Sequence, residues 1–308
     1  MSLIALLGAT EIGLIFALVA LGVLISFRIL NFPDLTADGS FPLGGAVAAT
    51  LIAGGHDPWM ATLAGTAAGA LAGLTTAWLN VRLNILQLLA SILVMIALYS
   101  INLRIMGAPN MPLIGATTVF SPFIALSPDS QYVIQPMVLA VIVVIAKLAL
   151  DAFFASQSGL AMRATGANPR MARSQGIATD RMVLIGMAIS NALIALAGAL
   201  YVQTQGGADI SMGIGTIVVG LAAVIIGETL IPGRTIMIAT LAAVIGALVY
   251  RLFIALALNA DFIGLQAQDL NLITALLVGF ALVLPSLKRK LAAKRSAASK
   301  GSTAHDAR

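Results

Sequence analysis

Ile12-Gly-Leu-Ile-Phe-Ala-Leu-Val-Ala-Leu-Gly-Val-Leu-Ile-Ser-Phe27 carries no charged side chain. Such a run leaves nothing to face water, so it suits a hydrocarbon environment better than the surface of a soluble domain. Further charge-free runs lie at 58–81, 83–103, 182–208, 210–227 and 270–287. Of 308 residues, 60% are hydrophobic and 9% charged, whereas globular proteins sit near about 45–50% and 25%. The chain therefore reads as an all-α, polytopic membrane helix bundle. A soluble enzyme, a secreted domain and a nucleic-acid binder are excluded.

Hydropathy gives nine expected spans, at about 5–27, 40–55, 59–79, 84–103, 133–153, 182–202, 214–231, 235–258 and 270–287. Arg163, Arg170, Arg173 and Arg181 crowd one connection, and Lys288, Arg289, Lys290, Lys294, Arg295, Lys300 and Arg308 fill the tail. Both belong in the cytoplasm by the positive-inside rule. Counting outward places Arg28, Arg82 and Arg234 inside as well and leaves Arg104 outside, with Lys147 and Arg251 within spans. The connections 105–132, 203–213 and 259–269 fall outside and hold no Lys or Arg, but do hold Asp129, Asp209, Asp261 and Asp269. The expected arrangement is N-outside and C-inside. No cationic stretch precedes Arg28, so the first span reads as retained rather than as a cleaved signal. Residues 1–287 form one transmembrane domain with a cytoplasmic segment at 156–181. Residues 288–308 form a basic tail that suits anionic headgroups, its end disordered.

There is no cysteine, and His56 and His305 are the only histidines, so no metal site is expected. No Gly-x-x-x-x-Gly-Lys-Ser/Thr phosphate loop occurs, so ATP is not expected to bind in the P-loop manner.

Several polar features interrupt the oil. In Asn31-Phe-Pro-Asp-Leu-Thr-Ala-Asp-Gly-Ser-Phe-Pro-Leu-Gly-Gly45, Pro42, Gly44 and Gly45 loosen a second helix that reads as interrupted. The break either lines a solute path, as broken helices do in transporters, or forms a cytoplasmic turn. Asp34 and Asp38 favour the turn, since a carboxylate at bilayer depth costs about 2.5–3.5 kcal/mol. Asn84, Gln87 and Ser91 are spaced to share one face of a fourth helix, and Ser190 and Asn191 sit in the sixth span. Each group either faces a wet cavity or bonds a neighbouring helix. Gly65, Gly69 and Gly73 recur every four residues, which makes a smooth ridge for close helix packing or a hinge.

The connection Ser158-Gly-Leu-Ala-Met-Arg-Ala-Thr-Gly-Ala-Asn-Pro-Arg-Met-Ala-Arg-Ser-Gln-Gly-Ile177 spells a short helix. Asn168 suits its N-cap, Pro169 its first position and Gly176 its left-handed end. Two turns are not stable alone in water. Met171 and Ala172 would supply an apolar knob flanked by Arg170 and Arg173, which fits either a groove on another protein or an anionic lipid surface.

The segment Arg163 to Ile177 resembles the cytoplasmic coupling segment of bacterial ATP-binding-cassette importer permeases of the branched-chain amino-acid and ribose type. Gly13 to Asn31 and Ile231-Pro-Gly233 are similar to the same family, and Asp34 to Pro42 and Leu98 to Gly107 resemble a branch linked with tryptophan or other amino-acid uptake. The resemblance covers about residues 10–285. It implies a permease subunit in the bacterial inner membrane that passes a small solute, most simply an amino acid, into the cytoplasm. It also implies a second permease subunit, two cytoplasmic ATP-binding subunits that hold ATP and Mg, and an extracytoplasmic solute-binding protein. Gly159, Arg163, Gly166, Asn168, Pro169, Arg170, Met171, Ala172, Arg173, Gly176 and Ile177 would form the ATPase-coupling segment, and Asn31, Pro42, Gly44, Gly45, Asn84, Gln87, Ser91, Ser190 and Asn191 are candidates for the path. The alternative is an ion-coupled secondary transporter with an intramembrane carboxylate, for which Glu11, Glu228 and Asp151 are the candidates. Without a nucleophile beside a base, no enzyme is expected.

Overall fold

The computed structural model describes residues 3–126, 131–233, 235–258 and 279. The expected ninth span at 270–287, the connection 259–269, Arg234 and the basic tail at 288–308 lie outside the described residues. The helices are α1 (Leu3–Val23), which runs into a π-helical turn at Leu24–Ile29, then α2 (Ala37–Ala53), α3 (Pro58–Leu83), α4 (Gln87–Met106), α5 (Ser121–Leu126), α6 (Gln131–Ala155), α7 (Gln157–Ala167), α8 (Pro169–Ser174), α9 (Thr179–Gln205), α10 (Thr216–Leu230) and α11 (Ile236–Leu258). Among the described residues, six segments are long and apolar enough to cross a membrane: Ile4–Ile29, Pro58–Leu83, Gln87–Met106, Tyr132–Ala155, Thr179–Gln205 and Ile236–Ala257. The seventh expected span is the shorter α10, of 15 residues, and the second is α2, of 17. Among the described residues the bundle is thus helical apart from a short ribbon that the sequence did not announce. Its strands β1 (Asn110–Pro112) and β2 (Gly207–Asp209) pair antiparallel, with Asn110 opposite Asp209.

Local chemistry sets the helix ends. The Asp57 carboxylate accepts the Trp59 and Met60 N–H groups, each at 3.1 Å, with Pro58 in the first turn of α3. That helix stops at Asn84, which takes a left-handed conformation at φ 54°.

Helix α1 sits in the centre, with Ile15, Leu18, Val19 and Leu21 fully buried against the surrounding helices. Helices α2, α3 and α9 meet almost backbone to backbone. A Cβ on Gly198 would overlap the Phe41 carbonyl oxygen and one on Gly44 the Ala195 carbonyl. The ridge at Gly65, Gly69 and Gly73 is part of this contact: a Cβ on Gly65 would stand 2.6 Å from the Gly44 carbonyl oxygen, and one on Gly69 2.5 Å from that of Asn191. In a bilayer, burying apolar surface gives helices little reason to associate, so this close van der Waals approach carries much of the packing.

The two cations placed within spans are both accommodated. Lys147 forms an ion pair with Asp151 one turn along α6, and Thr240 donates to Asp151 at 2.7 Å. The Arg251 guanidinium lies 4.3 Å from the centroid of the Phe16 ring. The ribbon joins two connections that both read as external, 105–132 and 203–213. The cations Arg28 and Arg163 line one cavity away from it, and Arg82, Arg173 and Arg181 line another.

Replacing Gly198 by Ala should destabilise the purified chain by about 1–3 kcal/mol through overpacking. Gly8→Ala, where a Cβ meets nothing within 4 Å, should leave thermal unfolding unchanged. Equal unfolding temperatures for the two variants would contradict the close-packed contact.

Candidate translocation path and coupling surface

The π-helical turn after α1 redirects the chain inward. Leu30 N–H donates to the Ile25 carbonyl at 2.9 Å and Phe32 N–H to that of Ser26 at 2.8 Å, while Asn31 turns through φ 53°. Asp34 then lies buried, at 1% exposure. Thr36 N–H donates to one carboxylate oxygen at 2.9 Å and Asn191 Nδ2 to the other at 2.8 Å. Ser40 donates to Asn191 Oδ1 at 2.7 Å, and the Thr36 and Thr76 hydroxyls lie 2.7 Å apart. One polar cluster therefore ties the start of α2 to α3 and α9.

This corrects the reading of the break. The expectation that α2 itself is interrupted does not hold: the irregular segment ends at residue 36, and Pro42, Gly44 and Gly45 lie inside a continuous helix. Nor does Asp34 mark an exposed turn; burial is possible because Asn191, far along the chain, supplies the donor. Ser190 donates to the Gly22 carbonyl at 2.7 Å, which joins α9 to α1.

A cavity of about 510 Å³ opens between α2, α4 and the segment before α10. Pro42 lines it, and of the expected path residues it is the only one that does so. Asp38, Asn102, Tyr99, Ser100 and Ser211 supply its polar groups. The Asp38 carboxylate accepts from Ile217 N–H at 2.9 Å and Gly215 N–H at 3.3 Å, and so caps the positive end of α10. Asn102 is fully buried, and its Nδ2 donates to the Gly39 carbonyl at 3.2 Å while its Oδ1 has no partner.

The remaining path candidates are dispersed. Gly44 and Gly45 are packing positions against α9. Asn84 caps α3 and shares no helix with Gln87 and Ser91, so the expected three-residue stripe does not form. Ser91 is buried and donates to its own helix at the Leu88 carbonyl, 2.8 Å away. Asn31 lines a different cavity, of about 700 Å³, with Arg28, Arg163 and Glu228. There Arg28 Nε donates to Glu228 Oε1 at 2.7 Å and joins the ends of α1 and α10. Asp38 and Asn102 fall within the two segments, Asp34 to Pro42 and Leu98 to Gly107, that resemble a branch of the family, but the sequence reading nominates neither as a path residue.

The segment expected to serve in coupling forms the expected short helix. Asn168 Oδ1 accepts from Met171 N–H at 3.1 Å, Pro169 opens α8, and Gly176 takes φ 82°. Its surroundings were not foreseen. Residues 157–167 form a further helix, α7, whose Gly166 leaves no room for a Cβ against the Ile29 carbonyl, while Gly159 packs on Phe153 and Phe154. The apolar knob is Met171 alone, 57% exposed, because Ala172 is buried. Arg173 is turned back on the protein: its Nε donates to Thr179 Oγ1 at 2.6 Å and its Nη2 to Asp180 at 2.8 Å. Ile177 N–H closes the turn on the Ala172 carbonyl at 3.0 Å. Arg170 is exposed.

A family model described as the permease component of the branched-chain amino acid transport system matches residues 5–284. The chain belongs to this family. A tyrosine transport system permease protein of Clostridioides difficile strain R20291 is 41% identical over 267 residues, 86% of this chain and 86% of that protein. An uncharacterized protein of Rickettsia prowazekii strain Madrid E is 35% identical over 291 residues, 92% of this chain and 98% of that protein. As a member of the permease family, the chain is the membrane subunit of an ATP-binding-cassette importer of an amino acid. This permease therefore combines a short braced helix, α8, with a cavity beside α2.

Replacing Asn191 by Leu removes a donor from the buried Asp34 carboxylate and should lower the stability of the purified permease by about 3 kcal/mol; an unchanged thermal transition would contradict the cluster. Arg173→Ala should raise amide hydrogen exchange across residues 169–176 by about tenfold, a change of 1.4 kcal/mol in local opening, and leave α7 unchanged. Unaltered exchange would show that Arg173 does not brace α8.

Proposed function

We propose that this permease works in the bacterial inner membrane with nine crossings, its N-terminus outside and its C-terminus inside. It pairs with a second permease subunit, receives solute from an extracytoplasmic binding protein and is driven by two ATP-binding subunits. Segregation of the charged ends supports the orientation: Arg28, Arg82, Arg163, Arg173 and Arg181 line the cavities flanking α7 and α8, whereas the ribbon joins Asp209 to a segment without Lys or Arg up to residue 126. The observation that carries the coupling reading is α8 itself. A two-turn helix fixed by an N-cap, a left-handed glycine and an arginine brace presents Met171 and Arg170 to solvent. Rigid support with one exposed apolar anchor is what a groove on a motor subunit requires, because a floppy helix would absorb the stroke.

The solute is an amino acid, and the Clostridioides difficile relative, named for tyrosine transport, favours one with an aromatic side chain. Its route passes the cavity between α2 and α4, where the start of α2 and the N-terminal end of α10 meet at Asp38.

Changing Arg170 and Met171 together to Glu should leave the permease folded in the membrane and lower co-purification of the ATP-binding subunit at least about tenfold, or 1.4 kcal/mol, with loss of radiolabelled tyrosine uptake. Normal uptake by the double variant would overturn the docking role of α8. Uptake by the isolated permease in liposomes under an ion gradient, without nucleotide, would favour the secondary-transport alternative.

A further inference from the structure

At the end of the bundle that carries α7 and α8, a cleft of about 700 Å³ has one apolar half and one polar half. Leu24 and Phe27 come from the π-helical turn that closes the segment Ile4–Ile29, and Ile236 and Ala239 from the start of Ile236–Ala257. Both segments are long and apolar enough to cross a membrane, so the cleft lies where spans leave the hydrocarbon. Leu160 of α7 adds a further apolar side chain and is 53% exposed.

The polar half is cationic, and its charges are within reach of a ligand. Arg28, Asn31, Arg163, Glu228 and Thr235 supply its polar side chains, two arginines against one glutamate. Glu228 engages Arg28 through Nε alone, and the other guanidinium N–H groups have no partner among the described residues. The Arg28 side chain is 66% exposed. Arg163 is exposed as well, and among the described residues its side chain makes no hydrogen bond or ion pair. Asn31 and Thr235 can each donate or accept, so they suit a ligand of either sign. What remains is a surplus of positive charge on two planar forks of N–H donors, the groups best matched to phosphate oxygens.

A free phosphate would use the arginines and leave the apolar half uncovered. A zwitterionic lipid would cover the apolar half but bring a second cation beside Arg28 and Arg163. An anionic phospholipid satisfies both halves, and basic pockets between membrane helices are where such headgroups are held. We propose that this cleft is a binding site for an anionic phospholipid, with its phosphate on Arg28 and Arg163 and the first part of its acyl chains against Phe27, Leu160 and Ile236. Seated there, the lipid bridges the ends of α1 and α11 to α7, which runs directly into α8 at Asn168. The site requires only that the spans cross a bilayer, and it stands apart from the role proposed for α8.

The test places the full chain in phosphatidylcholine nanodiscs that contain a small fraction of phosphatidylglycerol with a photoreactive diazirine near the head of one acyl chain. Crosslinks are mapped by peptide mass spectrometry and should fall within residues 24–31, 157–167 or 235–239. The same diazirine on phosphatidylcholine should label these segments about tenfold less. Unlabelled phosphatidylglycerol should compete, and glycerol phosphate, which has the headgroup without the tails, should not. Arg28→Gln with Arg163→Gln should cut the labelling about tenfold, whereas Arg82→Gln with Arg181→Gln, at the other basic cavity, should leave it unchanged. Should the first pair fail to fold, Arg163→Gln alone, at an exposed side chain, should cut it about threefold. Equal labelling by the two lipids, labelling that survives loss of the arginines, or labels confined to other segments overturns the site. Competition by glycerol phosphate as strong as by the lipid assigns the arginines to a soluble phosphate and overturns it too. Loss of labelling on assembly with the ATP-binding subunits gives the cleft to those subunits and likewise overturns it.

Discussion

A carboxylate cut off from water inside an apolar bundle has to be met by protein donors, and Asp34 imposes that requirement on the centre of this fold. Its two oxygens take one backbone N–H from Thr36 and one side-chain N–H from Asn191. Satisfying both places the start of α2 against α9, and the Thr36 and Thr76 hydroxyls bring in α3. Polar bonds of this kind act over less than 3 Å, so the helix backbones must come close, and Gly44, Gly69 and Gly198 remove the side chains that would hold them apart. The glycines and the carboxylate therefore serve a single contact. Each would be a liability without the other, since glycine weakens a helix by about 1 kcal/mol relative to Ala and an unmet charge costs several.

The same contact sets up the two regions where function is expected. By fixing the first turn of α2 it positions Asp38 at the N-terminal end of α10, next to the cavity that Asn102 and α4 complete. Before Asp34, the π-helical turn runs back to Ile29, whose carbonyl receives Gly166 of α7. The Gly166–Ile29 contact seats α7 against the backbone just before the irregular segment 30–36, and α2 lies directly beyond it. The exposed helix α8 and the cavity beside α2 are thus joined by helices in direct contact and one irregular turn.

Much of this was legible from residues alone. The long helices could be placed to within a few positions because hydrocarbon tolerates so little charge that the charge-free runs and the spans coincide. Helix α8 was readable because Asn168, Pro169 and Gly176 each have a distinct stereochemical reason to stand where they do. What stayed hidden depended on distant partners. Asp34 looks like a surface residue until Asn191 is known to face it, and Arg173 looks like a docking residue until Thr179 and Asp180 are seen to hold it. Helix α7 escaped notice because Gly159 and Gly166 mimic loop composition while serving close packing. Asn84, spaced to continue a stripe, instead ends α3 in a left-handed turn, and three-residue strands leave no periodic signal at all.

Because the chain has no cysteine, a Met171→Cys variant carries a single thiol on the proposed motor-contact surface. Labelling with a membrane-impermeant maleimide, in right-side-out and inside-out vesicles and in the assembled transporter, tests the central claim most directly. The account predicts labelling from the cytoplasmic face only and protection when the ATP-binding subunits are present. Labelling from the outer face, or equal labelling with and without those subunits, would contradict it.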